Sequence, residues 1–195
     1  QLLQKNKVGS IAINLRGRDV SDTKITDVIK AAVIKGVLKE LGIQNISLVN
    51  AISTAEEMGL SVQVNLSEKT DAVSGLVNSM SVELEVGGML NVVRSIEGTV
   101  FGREELRITR IDGYSVDLPP GEHMLLFNNR DEPGVLRRVV DQLSESSVNI
   151  AHFCLGRKEK GKFAMGIVVM DSALPAETIE KLAGATEINN LTAVR

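Results

Sequence analysis

The stretch FNNRDEPGVLRRVVDQLSESSVNIAHF, Phe127 to Phe153, decides the fold. Val135, Leu136, Val139, Val140 and Leu143 recur at helical spacing, with Arg137, Arg138, Asp141, Gln142 and Glu145 on the other side. Pro133 suits the first turn of that helix, where its missing N–H is no loss. Around this apolar stripe stand three small polar side chains, Asn129, Asp131 and Asn149. Aspartate and asparagine cap helices and shape turns by bonding nearby backbone. The same groups can also hold a small zwitterion, so capping and ligand contact both remain open.

Working outward, residues 123–129 read as a strand before the helix and VNIAHFCLG as a strand after it. RKEKGK (157–162) is a charged, solvated turn, and FAMGIVVMD is an apolar run of strand length. Pro175 opens a second helix with Ile179, Leu182 and Ala183 as its buried stripe, and EINNLTAVR closes the chain as a strand. The order β-α-β-β-α-β is the split βαβ, ferredoxin-like arrangement. Upstream, Pro119, Pro120 and Gly121 interrupt two apolar stretches, since adjacent prolines continue neither ladder nor helix. A domain boundary is expected there, giving domains 1–121 and 122–195.

The first half is less regular. VGSIAINLRG alternates like a strand, and KITDVIKAAVIKGVLKELG is a long helix predicted to bury Ile25, Ile29, Ala32, Val33, Gly36 and Val37. Gly42 falls where a C-terminal helix glycine belongs. NISLVNA reads as a buried strand and STAEEMG as a single capped turn of helix. LSVQVNL, SMSVELEV, MLNVVRSIEGTVFG and LRITRIDGYSVDL follow as strand-like segments, with Gly87-Gly88 as a hairpin turn. The expectation is a small domain with a mostly antiparallel sheet.

Composition narrows the function classes. The chain has 195 residues, 43% apolar and 3% aromatic, with a net charge of −3. No basic excess exists to displace counterions from phosphates, which argues against nucleic acid as a partner. The longest apolar run is about half a membrane span, so a soluble protein away from membranes is expected. A single cysteine, Cys154, excludes an internal disulfide and fits a reducing, cytoplasmic setting. His123 and His152 lie far apart without a third ligand, so no metal is expected. The chain starts at Gln1 without a signal or transit segment, and reads as a piece of a longer protein.

At NNRDEPGVLRRVVDQLSESSVNI, residues 123–195 resemble an ACT domain, the module that senses amino acids in many biosynthetic enzymes. The first half resembles something narrower. AAVIKGVLKELGIQNISLVNA, IEGTVFG and RITRIDGYSVDLPPGEHML together are similar to the allosteric substrate-binding domain of long-form D-3-phosphoglycerate dehydrogenases. The fold class this implies is α/β (α+β), a small mixed-sheet domain followed by a ferredoxin-like βαββαβ ACT domain. The resemblance further implies a homo-oligomer joined through the ACT domain, allosteric regulation, and a role in serine biosynthesis. No G-x-G-x-x-G turn and no acid, arginine and histidine set for hydride transfer occurs here. Catalytic residues and NAD are therefore expected in a part this chain does not carry, and no cofactor within it. A β part of a bacterial L-serine dehydratase is the alternative, although its Ser-rich P-S-S-S-H-T-type segment is missing; a free-standing amino-acid sensor is another.

Carried over residue by residue, the resemblance implies an L-serine or other small-effector site at Asn129, Asp131 and Asn149 with the backbone of Ile150. Some family members have histidine where Asn129 stands. An ammonium needs acceptors, which Asp131 and the amide oxygens supply, and a carboxylate needs donors, which helix N–H groups near Val135 supply. For a phosphate or other anion, Arg107 matches a basic position of the family's first domain. The second basic position of that site is Pro119 here.

Overall fold

The computed structural model describes residues 7–17, 20, 23–69, 76–87 and 92–194. Among them, ten strands form a six-stranded mixed sheet and a four-stranded antiparallel sheet. The chain divides into two compact units, residues 1–104 and 105–195.

The first unit holds β1 (Lys7–Arg16), α1 (Thr23–Glu40), α2 (Ala51–Glu57), β2 (Ser61–Ser67), β3 (Ser79–Gly87) and β4 (Val92–Phe101). β2 runs parallel to β1, and β1–β3 and β3–β4 are antiparallel. Alternate residues of β1 face opposite sides, and Ile11, Ile13 and Leu15 are fully buried against Ile29, Val33 and Val37 of α1. The intervening positions carry a polar row: Asn65 Nδ2 donates to Asn14 Oδ1 (2.8 Å), and Asn14 Nδ2 donates to Ser81 Oγ (3.1 Å). β3 and β4 pair as a hairpin, while Gly88 of the expected Gly87-Gly88 turn lies outside the described residues.

Two expectations need correcting here. α1 is rotated from the predicted stripe: Ile34 and Leu38 are fully buried against Ala51 and Ala55 of α2, whereas Ile25, Ala32 and Gly36 are exposed. A helix squeezed between a sheet and a second helix buries two faces, and the sequence pattern of one stripe shows only their average. Asn45–Ala51 is not a buried strand. Asn50 Oδ1 accepts the Ser47 N–H (2.7 Å) and its Nδ2 donates to the Asn45 carbonyl (3.1 Å). These local bonds compete with a sheet ladder, so the segment turns and leaves Leu48 and Val49 exposed. α2 then starts at Ala51, earlier than the single turn expected from STAEEMG. Gly42 does close α1. Its φ is +83°, and the Gly42 and Ile43 N–H groups bond the carbonyls of Lys39 and Leu38.

The second unit holds β5 (Glu105–Ile111), β6 (Tyr114–Leu118), β7 (His123–Arg130), α3 (Val135–Glu145), β8 (Ile150–Arg157), β9 (Phe163–Met170), α4 (Ala176–Ala183) and β10 (Ile188–Val194). From β7 onward this is the expected βαββαβ order, with its four strands ordered β10-β7-β9-β8 in the sheet. α3 and α4 cover one sheet face, burying Leu125, Phe127, Val139, Leu143, Val168 and Leu182. Ser146 Oγ and Thr178 Oγ1, 2.7 Å apart, join the two helices. The segment LRITRIDGYSVDL splits at Asp112-Gly113, both at positive φ, into the β5–β6 hairpin. That hairpin covers the other sheet face, where Ile108, Ile111, Val116 and Leu118 pack on Met124, Met165, Ile167 and Val169. Pro119–Gly121 separates β6 from β7, so the composition break lies within this compact unit. In α3, Val135, Val139 and Leu143 are buried, but Leu136 and Val140 are 40% and 39% exposed. The helix begins after Gly134, leaving Pro133 outside its first turn. In α4 Thr178, not Ala183, joins Leu182 in the core.

Candidate functional site

Asn129 closes β7 on the side of the sheet that faces the helices, sharing the parity of Leu125 and Phe127. It is 5% exposed; Nδ2 donates to the Arg130 carbonyl (2.6 Å), and Oδ1 is buried without a protein partner. Such an acceptor costs about 1–3 kcal/mol unless a donor reaches it. Two residues on, Asp131 Oδ2 accepts the Gly161 N–H (2.9 Å) and Arg157 Nη1 (3.2 Å). The backbone agrees, as the Asp131 N–H bonds the Lys162 carbonyl (3.1 Å). Asp131 therefore ties the loop before α3 to the β8–β9 turn. It does not cap α3, whose N-cap is Gly134 with no side-chain bond. The first turn of α3 has no acidic residue, and a shallow groove lined by Gly134, Arg137, Arg138 and Asp141 opens beside it. Free N–H groups there favour a carboxylate.

The Gly161 N–H, then Arg157, hold the Asp131 carboxyl below the ordinary carboxylate range; Lys160 adds attraction, and partial burial opposes. A depressed value means that the contact stabilises the loop at neutral pH and persists until pH falls through the lowered value. The Gly161 amide proton shift, followed by NMR, should titrate with a midpoint below about 3.9, the free aspartate value. A midpoint at or above that value would mean the contact does not form in solution.

Asn149 and Ile150 lie elsewhere. Asn149 Nδ2 donates to Asp171 Oδ2 (2.6 Å), and its carbonyl accepts the Asp171 N–H (3.1 Å). Ile150 opens β8 opposite Met170 and packs against the helix-side core. Both β7 and β8 are antiparallel to β9, where Asn129 stands opposite Ala164 and Ile150 opposite Met170. At ~3.3 Å per residue the two sets are separated by about 20 Å along β9. Within one chain, Asn129 and Asp131 come together, and Asn149 and Ile150 do not join them.

Arg107 stands on β5, its guanidinium held by Glu105 Oε1 (3.0 Å from Nε) and Asp117 Oδ1 (3.4 Å from Nη1). The Glu105 hydrogen bond, more than the nearby charges, raises its already high pKa. An anion there would compete with two carboxylates, and Pro119 offers no side-chain donor. Sequence reasoning missed Arg157, Gly161 and Asp171, the partners that fix these side chains. Arg157 and Gly161 belong to a turn whose charge pattern reads as solvated, and no local pattern links them to Asp131, 26 and 30 residues away. Among the described residues no three His, Cys, Asp or Glu side chains are placed to hold a metal ion, and no helix is long and apolar enough to cross a membrane.

Residues 1–112 match the family model of the D-3-phosphoglycerate dehydrogenase intervening domain. The chain belongs to that family. It is similar to D-3-phosphoglycerate dehydrogenases along most of its length. It is 29% identical over 192 residues to that of Bacillus subtilis, covering 93% of this chain and 35% of the relative. For Methanocaldococcus jannaschii the identity is 28% over 176 residues, 87% of this chain and 31% of the relative. For Synechocystis it is 28% over 185 residues, 93% and 32%. The chain thus spans about a third of the length of these relatives.

Proposed function

We propose that this chain is the regulatory and oligomerising part of a cytoplasmic D-3-phosphoglycerate dehydrogenase, and that its second unit is an ACT domain that binds L-serine or another small amino acid between two copies. Hydride transfer with NAD would reside in the remainder of the longer protein. The observation that carries this reading is the split of the candidate site across opposite ends of β9. β8 is the terminal strand of its sheet, and Leu155 on it, with Leu136 and Val140 on α3, is exposed. A terminal strand with apolar neighbours is a template for pairing with another chain. Antiparallel pairing of β8 with its copy sets Asn149 and Ile150 of one chain against the Arg157 end of the other. Asp131 is bonded to that end. Each pair of chains then has two equivalent sites, as a two-fold axis requires.

An effector held between chains can lower activity only by preferring one arrangement of the oligomer. Calorimetric titration with L-serine should show saturable binding, one site per chain, and Asn149→Ala should weaken it at least 10-fold. No heat with L-serine, glycine or L-alanine would remove the effector reading and leave Asp131 and Asn149 as structural ties. Arg107 could hold a phosphorylated ligand only by displacing Glu105 and Asp117.

A further inference from the structure

A ligand ammonium at Asp131 would not meet a bare carboxylate. Arg157 Nη1 and the Gly161 N–H both approach the same oxygen, Oδ2. The Asp131 side chain is 16% exposed and Arg157 is 51% exposed, so the carboxylate is the more sheltered partner and the guanidinium keeps contact with water. The other cation acting on this carboxylate is Lys160, from the same turn. An ammonium using either oxygen of Asp131 must therefore displace the guanidinium or sit a few ångströms from it. Either route weakens binding of an amine. A carboxylate, by contrast, gains from the same guanidinium, which offers a fork of donors.

We infer that Arg157 is a specificity-determining residue of the effector site, a resident cation that competes with the ligand's ammonium for Asp131 and so sets how tightly an amino acid binds. The inference rests on the effector reading above. It makes the β8–β9 turn, which looks like a solvated loop in sequence, part of the recognition surface. It also gives the site a preference: relative to a site without Arg157, amines are penalised and purely anionic ligands are not.

The test is a pair of titrations on the full chain, with L-serine and with L-glycerate, which carries a hydroxyl where L-serine carries its ammonium. Arg157→Gln removes the charge and keeps a shorter polar side chain at the same position. The expected result is L-serine binding about 10-fold tighter, with L-glycerate unchanged or weaker; adding Asp131→Asn should abolish the gain. Equal loss of both ligands would show that Arg157 only braces the turn, and unchanged serine affinity would show that it does not face the ligand. Both outcomes overturn the inference while leaving the effector site standing. Absence of serine binding to either protein would instead remove the effector reading, and the inference with it.

Discussion

Gly166→Ala should destabilise the second unit by about 3 kcal/mol, at the upper end of the usual cost of overpacking a core. Gly166 sits in β9 directly opposite Phe127 of β7. A methyl group on it would lie 2.2–2.8 Å from three atoms of the Phe127 ring. That ring is 1% exposed, and its cluster includes Val139 and Leu143 of α3, so it has no solvent side toward which to swing. The strand is flanked by β7 and β8, which keeps the backbone from yielding instead. Urea denaturation monitored on the second unit measures the loss. Combining the change with Phe127→Leu should restore part of it, because the smaller side chain vacates the contested space. A cost below about 1 kcal/mol, or no coupling between the two changes, would mean the ring and strand are less constrained than their contacts indicate.

The second large effect concerns assembly. Leu155→Glu should raise the dissociation constant of the paired chains at least 100-fold, about 2.7 kcal/mol. It should also abolish the L-serine titration, although Asn129, Asp131 and Asn149 are untouched. Leu155 is 42% exposed on the terminal strand, so replacing it removes little internal packing. Pairing would instead bury one added carboxylate of each chain in an apolar strip, where an unpaired charge is costly. Sedimentation equilibrium and calorimetry on the same sample separate the outcomes. A dimer that persists would place the interface elsewhere. A folded monomer that still binds serine would mean one chain suffices, contrary to the separation of Asn149 from Asp131.

The βαββαβ order could be read from sequence because each element carried its own period, and α3 shows why. Val135, Val139 and Leu143 announce a buried face without reference to anything distant. Leu136 and Val140 share the same periodic pattern, and the pattern alone does not tell that they are left exposed. Asp112-Gly113 is a strong local hairpin signal, masked by the longer alternating run around it. Asn50 illustrates a local effect that hydropathy does not register, since it organises a turn in which apolar residues face water. The site was legible as a set of residue types and illegible as an arrangement. Asp131 looked like a helix cap from its neighbours, while its partners lie 26 and 30 residues away. Asn149 likewise answers to Asp171, 22 residues away and just past the end of the neighbouring strand β9.

The β5–β6 hairpin has a consequence for modularity. Three boundaries fail to coincide: the family match ends at Asp112, the compact units part at Glu104, and the prolines fall at Pro119 and Pro120. The hairpin lies among all three. A ferredoxin-like module is portable when the outer plane of its sheet tolerates water, but here that plane presents Met124, Met165, Ile167 and Val169. The module is therefore not a free-standing cassette. Any rearrangement that moved it to another protein would have to carry β5 and β6 along as a lining, or replace four apolar side chains at once.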